Sequence, residues 1–311
     1  MGTQGEAGQF RTPRHIIDFI VNIMKPNKNH RVLDPSCGTG GFLISCFKKI
    51  ILDNSSKKIG DKLSNLERKN IWNNINGYDI SPDMIKFSLV NLYLHNFPNP
   101  NVFEYDTLSS DEKWNEYFDI ILANPPFFSP KGGITPHNRF KVQSKRAEVL
   151  FIDYIHEHLK PNGRAGIVVP EGILFDSSKK PYTLIRKQIL SDLIGVISLP
   201  KGIFLPYTGA KTSIIILDKS KGKKFSKIFY ATISQDGYSL NDKRNPIDKN
   251  DIPSISEDIS DIITNGITNK KYPKIKFIDK KIINNSEYGI LNFKEYKKVV
   301  LPESKYGTKK L

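Results

Sequence analysis

Asp34-Pro35-Ser36-Cys37-Gly38-Thr39-Gly40-Gly41-Phe42 is the stretch from which the rest of the chain is read. Residues 30–34 (HRVLD) have the apolar, β-branched character of a strand, and Pro35 stops it because proline has no N–H to give to a sheet. Glycines follow at 38, 40 and 41, and residues 39–51 then read as a helix. Glycine at such a junction permits a tight turn with positive φ and lets a ligand approach the backbone. No Lys-Ser or Lys-Thr follows Gly41, so this is not a P-loop, and the glycine spacing departs from the dinucleotide fingerprint. A carboxylate stands before the turn instead. Asp34 suits a ligand that carries an ammonium group, as the methionine end of S-adenosylmethionine does.

Outward from this loop, strands and helices alternate. Residues 75–79 (INGYD) form a second strand ending in Asp79, where a carboxylate can accept from both hydroxyls of a ribose. Ser81 then caps a helix with Pro82 at its first position, running to about residue 96. Residues 101–106 make a third strand ending in Asp106, placed to accept from an adenine amine. A lone strand-end Asp is more often a cap or turn residue. Three in succession beside a glycine loop point to a bound nucleoside. Residues 118–123 (FDIILA) are almost wholly apolar, which predicts a strand buried on both faces. Asn124-Pro125-Pro126-Phe127 follows, a stiff loop presenting an amide, the Pro125 carbonyl and an aromatic ring beside the cofactor loop.

Further on, a helix over 146–159 is ended by Pro161-Asn162-Gly163. Residues 165–169 are a strand, 182–191 a helix, and 193–199 and 212–218 the last strands. This rhythm predicts an α/β fold: a doubly wound, mainly parallel, Rossmann-like sheet with a last antiparallel strand and its ligand at the carboxyl strand ends. The polar stretches 53–74 and 129–144 interrupt it. The second holds Pro130, Gly132, Gly133 and Pro136, so it is a loop. Past residue 219 the alternation weakens: 227–233 adds a strand, and 236–261 reads as turns and loop. The expected organisation is an N-terminal segment (1–29), a catalytic domain (30–218) and a C-terminal extension (219–311).

Composition limits the partners. The 311 residues carry 47 Lys and Arg against 32 Asp and Glu, a net charge of +15 that suits a polyanion such as nucleic acid. A biased genomic composition would give the same excess. No apolar run approaches the roughly 18 residues of a membrane span, and the N-terminus lacks a signal-peptide pattern, so a cytoplasmic protein is expected. Cys37 and Cys46 are too few for a disulfide framework or zinc cluster. His15, His95, His137, His156 and His158 show no ligand spacing and read as structural or surface residues. No catalytic metal is expected.

DPSCGTGGF, YDISPDM, EYDTL and NPPF, in this order and spacing, resemble the motifs of N6-adenine DNA methyltransferases. More narrowly, the chain resembles the modification subunit of type I restriction-modification systems. GQFRTPRHIIDFIV (8–21), AEVLFIDYIHEHLKPNGRAGIVVPEGILF (147–175) and LPKGIFLPYTGAKTSIIIL (199–217) are similar to blocks of that family. The resemblance covers roughly residues 8–218. It implies S-adenosylmethionine as cofactor, held by Gln9, Phe10, Thr12, Pro13 and Arg14 in a segment that closes over it. Asp34, Pro35, Cys37, Gly38, Thr39, Gly40, Gly41, Asp79, Ile80, Asp106 and Thr107 complete the implied cofactor site. Asn124 and the Pro125 carbonyl would hold the adenine amine, with Pro126 stiffening the loop and Phe127 stacking on a base flipped from the duplex.

Three departures from the family pattern stand out. Arg11 occupies a position often aromatic in the family, the helical region that usually precedes GQF is missing, and no target-recognition region is legible. The chain is therefore expected to be a fragment or a minimal relative. Sequence specificity is expected from a partner specificity subunit, with a restriction subunit in a complete system. The rival activities are methylation of another planar amine, in a protein glutamine or an RNA base, and a silent cofactor-binding scaffold. The blocks after residue 146 favour DNA, and the intact NPPF argues against silence.

Overall fold

The structure is a computed structural model, and it describes residues 11–127, 133–267 and 270–296. Helix α1 (Arg14–Met24) buries Ile16, Ile17, Phe19, Ile20, Val21, Ile23 and Met24. It ends at Lys25, whose left-handed backbone lets its N–H reach the Val21 carbonyl at 2.9 Å. Then come β1 (Val32–Asp34), α2 (Gly41–Asp53), α3 (Asn65–Asn74), β2 (Ile75–Asp79), α4 (Pro82–Leu94), β3 (Asn101–Glu104) and β4 (Phe118–Ala123). Ser81 caps α4 by accepting from the Met84 N–H, and Pro82 opens the helix, as the sequence predicts. The second half of the wind is α5 (Ala147–His158), β5 (Leu159–Pro170), α6 (Gly172–Phe175), α7 (Lys180–Ile189), β6 (Leu193–Ser198) and β7 (Thr212–Asp218). After it come β8 (Lys227–Thr232), β9 (Asp236–Tyr238), β10 (Pro246–Asn250), α8 (Ile252–Asn265), β11 (Ile275–Asp279) and α9 (Lys280–Asn285).

Among the described residues, nine strands share one sheet in the order β3-β2-β1-β4-β5-β7-β6-β8-β11. The run from β3 to β5 is parallel, while β7 is antiparallel to both β5 and β6. This is the expected mainly parallel sheet with an antiparallel strand. The strand at 227–232 pairs parallel with β6, and β11 closes that edge antiparallel to β8. Alternate side chains feed two cores. Val32, Ile120, Leu122, Val168, Ile214 and Ile216 face one that also takes α1, α2 and α8. Leu33, Ile121, Ala123, Ile167, Val169, Ile215 and Leu217 face the other, with α5 and α7. A strand's period of two requires this once both faces are covered.

Two expectations change. Residues 236–261 are not turns and loop: they hold the β9–β10 pair and most of α8. In α8 the residues Ile255, Ile259, Ile262 and Ile263 are buried, a helical spacing of four, three and one. Pro161-Asn162-Gly163 does not separate helix from strand, because β5 starts at Leu159 and runs through it. The pairing steps from Phe118↔Leu159 to Ile120↔Arg164, so the extra residues are absorbed as an irregularity in the ladder.

Candidate active site

β1 lies between β2 and β4, so the winding direction reverses there and leaves a crevice beyond the carboxyl ends of β1 and β4. Asp34 ends β1, Asp79 ends β2 and Asn124 follows β4, so the topology brings the three predicted groups to one edge. A shallow surface depression lined by Arg68, Trp72 and Pro98 among others sits instead at the amino edge and includes none of these residues.

The glycine loop is built on the second strand. Cys37 N–H donates to the Tyr78 carbonyl at 2.8 Å, Gly38 N–H to Asp79 Oδ2 at 2.9 Å, and Gly40 N–H to the Cys37 carbonyl at 2.8 Å. Gly40 has φ +77°, and a β-carbon on it would stand 2.8 Å from Ser88 Oγ, so both conformation and space demand glycine. Gly38 has φ +52° with nothing within 4 Å of where a β-carbon would be: its outer side faces open space. Thr39 is tied down through its carbonyl, which accepts from Asn91 Nδ2 of α4 at 2.9 Å. Thr107 Oγ1 donates to the Pro35 carbonyl at 2.8 Å, locking the strand-three turn onto the loop. Burial pushes the Cys37 thiol up, so it is an inert packing residue and not a thiolate.

The two leading carboxylates share an unusual environment. Asp34 is 2 % exposed and accepts from Ser36 N–H at 3.1 Å, and among the described residues no cation pairs with it. Burial drives its carboxyl well above the ordinary carboxylate range; Ser36 opposes this and the Asp79 charge adds to it. Asp79 is likewise pushed up by burial, against the pull of the Ser81, Gly38 and Ile80 N–H groups. A buried carboxylate without a cation is costly unless a positive group joins it. Beside Asp79, Ile80 is 63 % exposed, an apolar surface open to a planar ring. Asp106 is engaged locally: Oδ1 accepts from the Leu108 and Ser109 N–H groups at 3.0 and 3.3 Å, and Oδ2 from the Ser109 hydroxyl.

At the second loop, Asn124 Nδ2 donates to Thr12 Oγ1 at 2.9 Å, joining the N-terminal segment to the NPPF turn. Arg14 reaches the Gly41 carbonyl at 3.3 Å, and Ile17 packs where Gly41 has no side chain. Pro13 precedes α1, and its carbonyl accepts from the Ile16 and Ile17 N–H groups. The N-terminal segment thus lies against both loops. Gln9 and Phe10 lie outside the described residues. Pro125 is buried and Pro126 half-buried. Phe127 is 7 % exposed with its ring edge-on to Phe204 at 6.2 Å, so it is turned inward here.

Asn91, inside a helix and without a local signal, escaped the sequence reading. Thr12 was assigned to the cofactor, but its bond to Asn124, 112 positions away, has no local signal either. His15, read as structural or surface, pairs with the buried Asp236 at 2.8 Å across 221 positions.

The donor set fits S-adenosylmethionine: an open glycine turn, a buried carboxylate at the end of β1, a second at the end of the neighbouring β2, and an exposed apolar residue after it. The N-6 DNA Methylase family matches residues 2–300. The chain is 34% identical over 248 residues to the methylase subunit of type I restriction enzyme EcoEI from Escherichia coli, covering 78% of this chain and 49% of that one. It is 31% identical over 225 residues to the EcoKI methylase subunit of E. coli K12, covering 70% and 41%. Among solved structures, a type I restriction-modification assembly matches 90% of this chain and 57% of that one, at TM-score 0.75 and 27% identity. The EcoKI M protein matches 77% and 51%, at TM-score 0.65 and 27% identity. The chain therefore spans about half the length of the relatives it matches, and it belongs to the N-6 DNA methylase family.

Proposed function

We propose that this chain is the catalytic portion of a type I modification subunit, transferring methyl from S-adenosylmethionine to the N6 amine of adenine in DNA. The observation that carries the reading is the convergence of Asp34, Asp79 and Asn124 on one crevice, with Asn124 bound to the segment that also touches the glycine loop. Asp34 would pair with the ammonium group, Asp79 with the ribose hydroxyls, and Ile80 would carry the adenine ring, with Asp106 and Thr107 closing that end. Thr12, Pro13 and Arg14, with Gln9 and Phe10 before them, would cover the cofactor. When bound, the cofactor supplies an already activated sulfonium methyl.

Adenine N6 is a weak nucleophile because its lone pair is delocalised into the ring. Hydrogen bonds from its N–H groups to the Asn124 amide oxygen and the Pro125 carbonyl hold that pair on nitrogen and aim it. The chain's contribution is therefore alignment and electrostatic support rather than proton storage. Pro126 keeps the turn rigid. Phe127 first anchors the loop on Phe204, and stacking on an extruded base requires its ring to turn outward or the base to meet its edge. DNA, a specificity subunit and, in a complete system, a restriction subunit are the partners, and the cytoplasm is where they meet.

The test is single-turnover methylation of an adenine-containing duplex by wild type and Asn124→Ala, supplemented with the specificity subunit when the chain alone is inactive. Loss of one preorganised polar group at a reacting centre costs on the order of 100-fold in rate. The expected result is that loss with cofactor affinity preserved. Methylation by Asn124→Ala at the wild-type rate would remove this loop from the mechanism.

A further inference from the structure

We infer that Thr12 is a positioning residue for Asn124, and that His15 and Arg244, gathered on the buried Asp236 carboxylate, hold Thr12 in place. The inference rests on the function proposed above and extends it to residues outside the cofactor and target motifs.

An asparagine side chain can face a ligand with its oxygen or with its NH₂, and only the oxygen can accept from an amine. Thr12 Oγ1 accepts from Asn124 Nδ2 at 2.9 Å. In this arrangement the NH₂ faces Thr12 and the amide oxygen is the end left for a ligand. Thr12 itself belongs to no regular element. It is the second residue before α1, so its position is set by how firmly the start of α1 is held.

The start of α1 is held from the far end of the chain. His15 Nε2–H donates to Asp236 Oδ2 at 2.8 Å, and Arg244 Nη2 donates to the same oxygen. The Asp236 side chain is 0% exposed. The two donors keep its carboxyl below the ordinary range despite the opposing effect of burial. The His15 ring stacks on Tyr238 at 4.6 Å, and the Arg244 guanidinium lies 5.5 Å from the same ring. Asp236 and Tyr238 are in β9, which follows the carboxyl end of β8. The β9–β10 pair therefore stands on the same sheet edge as the crevice. A residue three positions from Thr12 is thus clamped onto a buried carboxylate. The same segment carries Arg14 to the glycine loop, so the clamp serves cofactor and target at once.

The experiment compares Thr12→Val, Thr12→Ser and Asp236→Asn with wild type. Single-turnover methylation at saturating S-adenosylmethionine is read beside cofactor Kd and melting temperature. Valine keeps the shape of threonine but cannot accept a hydrogen bond. Displacing a reacting group by about an ångström can cost on the order of 100-fold, so Thr12→Val is expected to slow methylation at saturating cofactor by about 10- to 100-fold, beyond any change in Kd that follows from its place over the cofactor. Thr12→Ser should restore the rate. In the Asn124→Ala background Thr12→Val should cost nothing more, because the group it orients is gone. Asp236→Asn should weaken cofactor binding and slow methylation together without lowering the melting temperature enough to unfold the protein at assay temperature. Wild-type rate in Thr12→Val, or the same loss in the Asn124→Ala background, overturns the positioning role. Unchanged Kd and rate in folded Asp236→Asn overturns the clamp. If Asn124→Ala is itself fully active, the proposed function fails first; if it is impaired while Thr12→Val is not, only this inference falls.

Discussion

Burial raises the pKa of both Asp34 and Asp79, and at Asp34 that has a measurable consequence for binding. An ammonium group arriving beside Asp34 favours the ionised carboxylate, so binding lowers its pKa and releases a proton. Affinity should therefore rise as pH climbs from the ordinary carboxylate value through the raised one, then level off. Titration calorimetry in buffers of different ionisation enthalpy reads the released proton directly, and Asp34→Asn should abolish most of it. Binding with no proton release by wild type would mean that the ammonium group lies elsewhere. Asp79→Ala removes charged hydrogen bonds to the ribose, worth roughly 1.5–3 kcal/mol of affinity. Full affinity in that variant would mean that the ribose is misplaced. These residues were legible because each stands at a strand end next to a turn, where sequence neighbours define the geometry. The Thr12–Asn124 and His15–Asp236 contacts were not, because no local pattern links positions 112 and 221 residues apart.

Elements were legible where one strand or helix carries an unbroken pattern. FDIILA reads as a buried strand because both faces of the sheet are covered, and Ser81-Pro82 marks the start of α4 at the residue where it begins. The misreading at 236–261 has a physical cause. Polar and turn-forming residues dominate its first half, while the isoleucines of α8 lie among Ser, Asp and Glu and show their period only over the whole helix. α8 packs against α1, and Ile259 is 0% exposed. Ile259→Ala should cost about 2–5 kcal/mol, the range for removing a buried isoleucine side chain without collapse of the site. Urea unfolding measures it, and a change within about 0.5 kcal/mol, as at an ordinary surface position, would mean that α8 does not contribute to this core.

At the scale of the molecule, a charge of +15 predicts attraction to DNA that is electrostatic before it is selective. The logarithm of the binding constant should fall with the logarithm of salt by about 0.9 for each phosphate neutralised. Gel shifts with unrelated duplexes should give similar affinities that collapse together as salt rises. Tight retention of one duplex would place sequence reading within this chain. The fold class was legible, and so was the crevice proposed for the cofactor, since the order of strands and the place of the glycine loop determine them. The extension of the sheet by β8 and β11 was legible only in its first strand, because β11 is a short pairing made across the chain. The account stands or falls on the product. Duplex DNA methylated by the protein with its specificity subunit and labelled S-adenosylmethionine, then digested to nucleosides and separated by mass spectrometry, should yield N6-methyldeoxyadenosine as the labelled species. Label appearing in methylated cytosine, or only in protein or RNA when these are offered beside the DNA, would contradict it.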